Sequence, residues 1–156
     1  MRSRNEMSMF LAIPVVVVAL LALAATPVLA KGLREFAGFY RILQATNLGN
    51  TVEVRISLRV FNYSEADVQN ATILLTSCLP HAPWAGEAWE KEQPSFQGVA
   101  LRAKEHRAVA PLEATFTVPA LEYALWLKGA QPHFVIYYQD ASGEPHHREI
   151  ELMRRP

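Results

Sequence analysis

TVEVRISLRVF, residues 51–61, sets Val52, Val54, Ile56, Leu58 and Val60 at alternate positions, with Glu53, Arg55, Ser57 and Arg59 between them. A period of two matches extended backbone, in which successive side chains leave on opposite faces. One face of this segment therefore lies in a core and the other in water. Just before it, AGFYRILQAT (37–46) reads as a second strand. The intervening NLGN (47–50) supplies Asn and Gly, which accept the backbone angles of a tight turn. The two segments form a hairpin.

Beyond Asn62 the stretch YSEAD (63–67) has no period, and VQNATILLTS (68–77) resumes as a strand with Ala71, Ile73 and Leu75 on one face. Asn62 and Asp67 stand where two strands part, and short polar side chains there cap loose backbone groups. GVALRA (98–103) and LEATFTVP (112–119) alternate as well, the latter with Leu112, Ala114, Phe116 and Val118 opposed to Glu113, Thr115 and Thr117. PHFVIYYQD (132–140) is rich in β-branched and aromatic residues, ASGEP (141–145) is a turn by composition, and HHREIELM (146–153) closes the pattern. ALEYALWLKG (120–129) alone prefers a helical turn, with Gly129 placed to end it.

Seven short strands, few helical segments and turn residues between them predict an all-β fold, an antiparallel β-sandwich with one wet side to each sheet. Over residues 39–153 the chain resembles the immunoglobulin-like and fibronectin type III-like domains of exported proteins. The resemblance is carried by TVEVRISLRVFN, VQNATILL, FTVP and the closing FVIYYQDASGEPHHREIEL. It implies an immunoglobulin-like sandwich of about seven strands. The chain departs from antibody domains in lacking a Cys…Trp…Cys arrangement, so no inter-sheet disulfide is expected.

The first thirty residues read differently. Arg2 and Arg4 precede an apolar run from Phe10 to Ala25, and TPVLA follows with Val28 and Ala30 at the −3 and −1 positions of a cleavage site, the pattern of a secretory leader. The run also approaches the roughly 20 residues that span a bilayer, so a retained anchor is the alternative. Pro14, Pro27 and the small residues before Lys31 favour removal. Either way residues 31–156 form a single domain outside the cytoplasm: periplasmic, extracellular or anchored and facing outward.

Removing residues 1–30 takes two of 15 basic and one of 15 acidic residues, leaving 13 against 14, a net charge of −1. Such a balance does not steer the chain toward nucleic acid. The single cysteine, Cys78, cannot form an internal disulfide, so packing alone must hold the domain. The sequons Asn62-Tyr63-Ser64 and Asn70-Ala71-Thr72 matter only in a cell that glycosylates exported chains.

No Gly-x-Ser-x-Gly elbow, His-Glu-x-x-His helix or glycine-rich phosphate loop occurs. The histidines are His81, His106, His133, His146 and His147. With Asp140 facing His146 across the hairpin, His133 pairs near Met153, roughly 23 Å from His146 at about 3.3 Å per residue. Cys78-Leu79-Pro80-His81 has soft ligand types, but no histidine precedes Cys78 and Met153 is the only methionine after the leader, so a copper centre lacks ligands. Cys78 as a nucleophile with His81 or His106 is a third reading, set against a small buried side chain at a strand end. Neither a metal nor a cofactor is implied.

The segment that strand packing leaves unexplained is LPHAPWAGEAWEKEQPSFQG, residues 79–98. It is long for a connection in a compact domain, and such loops tend to be either functional or poorly ordered. Trp84, Trp89 and Phe96 are the candidate binding residues, since aromatic side chains carry much interface energy. The competing reading folds them back over an open end of the sandwich, with AGEAWEKE (85–92) as a short helix. The expectation is a non-catalytic domain that binds or supports another macromolecule, a protein or polysaccharide, at the cell envelope. It touches the membrane only through its N-terminal segment, if that is kept. The alternative is a carbohydrate-binding module using Trp84 and Trp89 as a stacking platform.

Overall fold

A computed structural model describes residues 35–86, 88–104 and 110–155. The N-terminal segment 1–30 and His106 lie outside them. Eight strands and two short helices follow in the order β1 (Phe36–Asn47), β2 (Thr51–Asn62), β3 (Val68–Thr76), α1 (Ala88–Glu92), β4 (Phe96–Leu101), β5 (Leu112–Pro119), α2 (Ala120–Leu127), β6 (His133–Gln139), β7 (Pro145–Glu149) and β8 (Glu151–Arg154). They make an all-β sandwich of two four-stranded sheets, ordered β5-β2-β1-β8 and β4-β3-β6-β7.

The alternation in β2 does what its period dictates: Val52, Val54, Ile56, Leu58 and Val60 are buried. They face Ala71, Ile73 and Leu75 of β3 and Phe134 and Ile136 of β6 within one core. Phe116 of β5 crosses to the opposite sheet, its ring centroid 5.7 Å from Phe134 and 6.1 Å from Phe96. The β1–β2 hairpin turns where expected, with Asn47 Oδ1 accepting from the Gly49 N–H at 2.8 Å.

The β3–β4 pair carries two irregularities that cancel. Val68 faces Leu101, Ala71 faces Val99 and Ile73 faces Phe96, so an extra residue on β3 is followed by one on β4. Asn70 (φ 52) and Gly98 (φ 65) take the left-handed backbone at these points, where a glycine or an asparagine fits.

The closing segment departs from expectation. Instead of one strand lying back along β6, it splits at Ile150 into β7 and β8. Tyr138, not Asp140, faces His146, because Asp140 closes a tight loop: its Oδ1 accepts from the N–H groups of Ser142 and Glu144. After Glu149 the chain crosses to the other sheet, where Met153 pairs with Phe39 in a parallel ladder. The crossing buries Ile150 and Leu152 against the core and covers part of the β1 edge.

Candidate functional site

The polar bend at residues 62–67 is a corner. Asn62 is buried, and its Nδ2 donates to the carbonyl oxygens of Ala66 (2.9 Å) and Leu101 (3.2 Å) while its Oδ1 accepts from the Ser64 N–H (2.9 Å). Asp67 Oδ1 accepts from the Ala103 N–H at 2.7 Å. An open groove of about 940 Å³ adjoins this corner, walled by Tyr63, Asp67, Tyr138, Asp140, His146 and Arg148. Asp140, Glu144 and His146 bring ligand-type atoms within 4.8 Å of one another there. The Asp140 carboxylate is already occupied by Ser142 and by His146 Nε2 at 2.9 Å, contacts that hold it well below the usual carboxylate range.

The four described histidines are not brought together into one site. His133 lies against Thr76 Oγ1 at 2.7 Å, His147 stacks on Tyr137, His146 joins Asp140, and His81 is exposed.

At the opposite end of the sandwich the segment between β3 and β4 is organised by a side chain that the sequence reading passed over. Glu122, in the first turn of α2, is fully buried. Its Oε1 accepts from the Cys78 N–H (2.7 Å) and the Trp126 indole N–H (3.1 Å), and its Oε2 from the Ser77 hydroxyl (2.9 Å) and the Trp84 indole N–H (2.8 Å). Neutral dipoles alone hold this charge; among the described residues no cation pairs with it. Burial works to raise its pKa, but the bonds from Trp84, Cys78 and Ser77 outweigh burial and leave it lowered. Its place at a helix N-terminus acts in the same sense. A lone acid in ALEYALWL, four residues before a tryptophan, is the signal that could have found it.

A second carboxylate continues the bracing. Glu90 of α1 accepts from the N–H groups of Ser77 (2.6 Å) and Gly86 (2.9 Å). The Trp89 indole N–H donates to the Trp84 carbonyl at 2.7 Å. Trp84 and Trp89 are thus half-buried with their polar edges turned inward, and Phe96 lies half-buried against the core. Trp84 and Trp89 belong to one folded cap with their indole N–H groups facing the protein, while Phe96 opens β4 against the core.

Sealed from solvent, Glu122 has no route to a substrate. Beside it Cys78 is pushed up to about 12, first by burial and then by the carboxylate, so it is a thiol and not a thiolate at neutral pH. The chemistry of this end is structural: it fixes a loop and thereby a surface. That surface carries large exposed apolar side chains: Leu48 in the β1–β2 turn, Leu79 in the loop, and Leu121 and Leu127 on α2. The turn and the helix are joined by the Ala120 N–H donating to the Asn50 carbonyl at 2.9 Å, the loop and the helix by Glu122. No helix among the described residues is long and apolar enough to cross a membrane.

No family model and no curated protein matches the chain. Among solved structures, two crystal structures of a GH20 exo-β-N-acetylglucosaminidase from Vibrio harveyi align with it, one in complex with N-acetylglucosamine and one an inactive mutant. Each alignment covers 76% of this chain and 18% of the enzyme, at 10% identity and a TM-score of 0.38. The chain therefore spans less than a fifth of the length of the enzyme, and so slight a likeness says nothing of a shared activity.

Proposed function

We propose that the protein is an exported, non-catalytic β-sandwich of the immunoglobulin-like or fibronectin type III-like kind, which presents its capped end to another protein at the cell envelope. One observation carries this reading. Of the large apolar side chains left in water, Leu48 (57% exposed), Leu79 (45%), Leu121 (63%) and Leu127 (61%) stand at the same end. Apolar side chains grouped in this way, with polar neighbours, mark an interaction surface. The buried Glu122 network holds the loop and α2 in place before any partner arrives, so little ordering entropy opposes docking.

The division of strands supports the immunoglobulin-like reading: β1, β2 and β5 share one sheet, β3, β4, β6 and β7 the other, and the final strand crosses between them. The charged start, apolar centre and small-residue exit of the leader support export. A sealed carboxylate and a protonated thiol support a non-catalytic role.

Photo-crosslinking residues placed at Leu121, Leu127 and Leu43 of the full chain test the proposal in intact cells. Adducts of one defined mass are expected from Leu121 and Leu127 and not from Leu43, and they should disappear in a Leu121→Asp, Leu127→Asp variant that still folds. Equal adducts from all three positions, or adducts that survive the double substitution, would remove the proposal. A purified chain that starts at Lys31 would support export by cleavage.

A further inference from the structure

The outer face of the β5-β2-β1-β8 sheet carries a groove of about 410 Å³, remote from the capped end, and its lining includes Phe39, Arg41, Ser57, Arg59, Glu113 and Arg155. Three arginines meet there. In the β1–β2 ladder Phe39 faces Arg59 and Arg41 faces Ser57, so Arg41 and Arg59 are diagonal neighbours on one face, about 7–8 Å apart at their Cα atoms. Arg155, just past β8, lays its guanidinium 4.3 Å from the Phe39 ring centroid. Phe39 thus has Arg59 opposite it, Arg41 two positions along its own strand and Arg155 over its ring.

Their charge is not balanced within the described residues. Elsewhere Arg55 of the same sheet bonds Glu113 at 2.8 Å, Lys104 bonds Glu65 and Arg148 bonds Glu35, while Arg154 of β8, outside the groove, has no such pair among the described residues. Arg41, Arg59 and Arg155 form no ion pair, and the one acid in the groove, Glu113, is already held by Arg55. Like charges at diagonal positions repel. Guanidinium groups offer paired N–H donors whose fork matches the oxygens of a phosphate, and they are the side chains best suited to recognise one.

We propose that this groove is a binding site for a phosphate group, held by Arg41, Arg59 and Arg155 beside Phe39, with the Ser57 hydroxyl as a further donor. The bound group neutralises the repulsion that the sheet otherwise carries. The site is independent of the docking end and does not rest on it.

Two probes separate the sources of such a phosphate. The full chain is titrated with glycerol phosphate, a soluble phosphomonoester, by calorimetry, and its binding to phosphatidylcholine vesicles is compared with and without phosphatidic acid. Binding to both probes assigns the site to phosphomonoesters generally, and binding only to the phosphatidic acid vesicles assigns it to a lipid surface. The Arg41→Gln, Arg59→Gln variant should bind the responding probe more weakly by about tenfold or more. Lys128→Gln, which removes an equal type of charge outside the groove, should bind as the unaltered chain does. Because the arginines are exposed and mutually repelling, the double variant should melt no lower than the parent in the absence of phosphate. The proposal is overturned if neither probe binds, if the double variant binds as tightly as the parent, or if Lys128→Gln weakens binding equally.

Discussion

Trp84 and Glu122 are 38 positions apart along the chain, yet the indole N–H of the first donates to the carboxylate of the second over 2.8 Å. That bond fastens the long connection between β3 and β4 to a helix in the β5–β6 connection. Truncating Glu122 to Ala leaves the donors of Ser77, Cys78, Trp84 and Trp126 facing an empty space. Orphaned buried donors of this kind cost about 1–3 kcal/mol each when no water can reach them. We expect Glu122→Ala to lower the unfolding free energy by about 3–5 kcal/mol, as for breaking a buried charged network. Glu122→Gln should cost less, but not nothing: its NH₂ must face either Trp84 or the Cys78 and Trp126 N–H groups, none of which can accept. Urea unfolding followed by tryptophan fluorescence measures both. A Glu122→Gln midpoint equal to that of the parent would contradict the network.

Acid should undo the same contact in a defined direction. The native Glu122 carboxyl titrates below its ordinary value, so on acidification the unfolded chain takes up the proton first. The stabilisation is complete above the ordinary glutamate range, near pH 4.3, and is lost as the pH falls from there through the lowered native value. Asp140 acts in the same sense at the other end, through Ser142 and His146. Urea midpoints measured from pH 6 downward should therefore fall below about pH 4 in the parent. The fall should be shallower in Glu122→Gln and in Asp140→Asn, each by its own share. Parallel acid slopes in the parent and Glu122→Gln would show that the carboxylate is not the group responsible.

These contacts mark the boundary of what the chain order reveals. The strands were legible because a sheet with one wet face writes its period into neighbouring residues, as Val52 to Val60 do. The short helix within 85–92 and the turn that Asn62 closes onto the Ser64 N–H follow from local rules of the same kind, whereas the inward fold of Trp84 depends on Glu122, 38 positions away. The split at Ile150 was not legible, since β7 and β8 share one alternation and only the vacant edge of β1 decides which sheet receives the second. Glu122 was hidden because a single acid among apolar residues gives no period, and its partners come from three separate segments. The arginine groove depended on register: Arg41 and Arg59 become neighbours only once Phe39 is placed opposite Arg59.

Cys78 provides a chemical readout of the capped end. With its thiol pushed up to about 12 by burial and by Glu122, almost none is ionised at pH 8, and the native chain should react slowly with a disulfide reagent such as Ellman's. In urea the thiol returns to the ordinary value near 8.5 and should react at the rate of a free cysteine. Glu122→Gln removes the carboxylate and should bring the native rate toward the unfolded one. A native rate equal to the unfolded rate would place Cys78 in open water and sink the arrangement.

Gly38 lies between Val60 of β2 and Leu152 of β8. A Cβ added there would run into the Arg59 carbonyl and meet Leu152 Cδ2 at 3.2 Å. The obstacle on one side is backbone, which cannot rotate away. We expect Gly38→Ala to cost about 1–3 kcal/mol or more, the usual range for overpacking, and to weaken the β1–β8 pairing first. Amide exchange should then speed up at residues 151–154 before it does in β2. An unchanged urea midpoint would mean that β1 does not sit where its register puts it.

The exposed edge of β5 has its own guard. Gln93 Nε2 donates to the Thr117 carbonyl at 2.8 Å while the Thr117 N–H donates to Gln93 Oε1 at 2.9 Å, so one side-chain amide occupies both backbone groups as a neighbouring strand would. The same Nε2 also reaches the Trp89 carbonyl at 2.6 Å, which ties the edge to α1. Unpaired edge groups recruit other strands, and covering them is how sheets avoid self-association. Gln93→Ala should therefore act twice: a loss of about 1–3 kcal/mol from the unpaired bonds, and a concentration-dependent rise in apparent mass. Gln93→Glu keeps the acceptor but places a negative oxygen against the Thr117 carbonyl, so it should destabilise too, while its charge resists edge pairing. Unfolding and sedimentation measured on both variants separate the two effects. Stable monomers in both would show that the glutamine neither braces the loop nor closes the sheet.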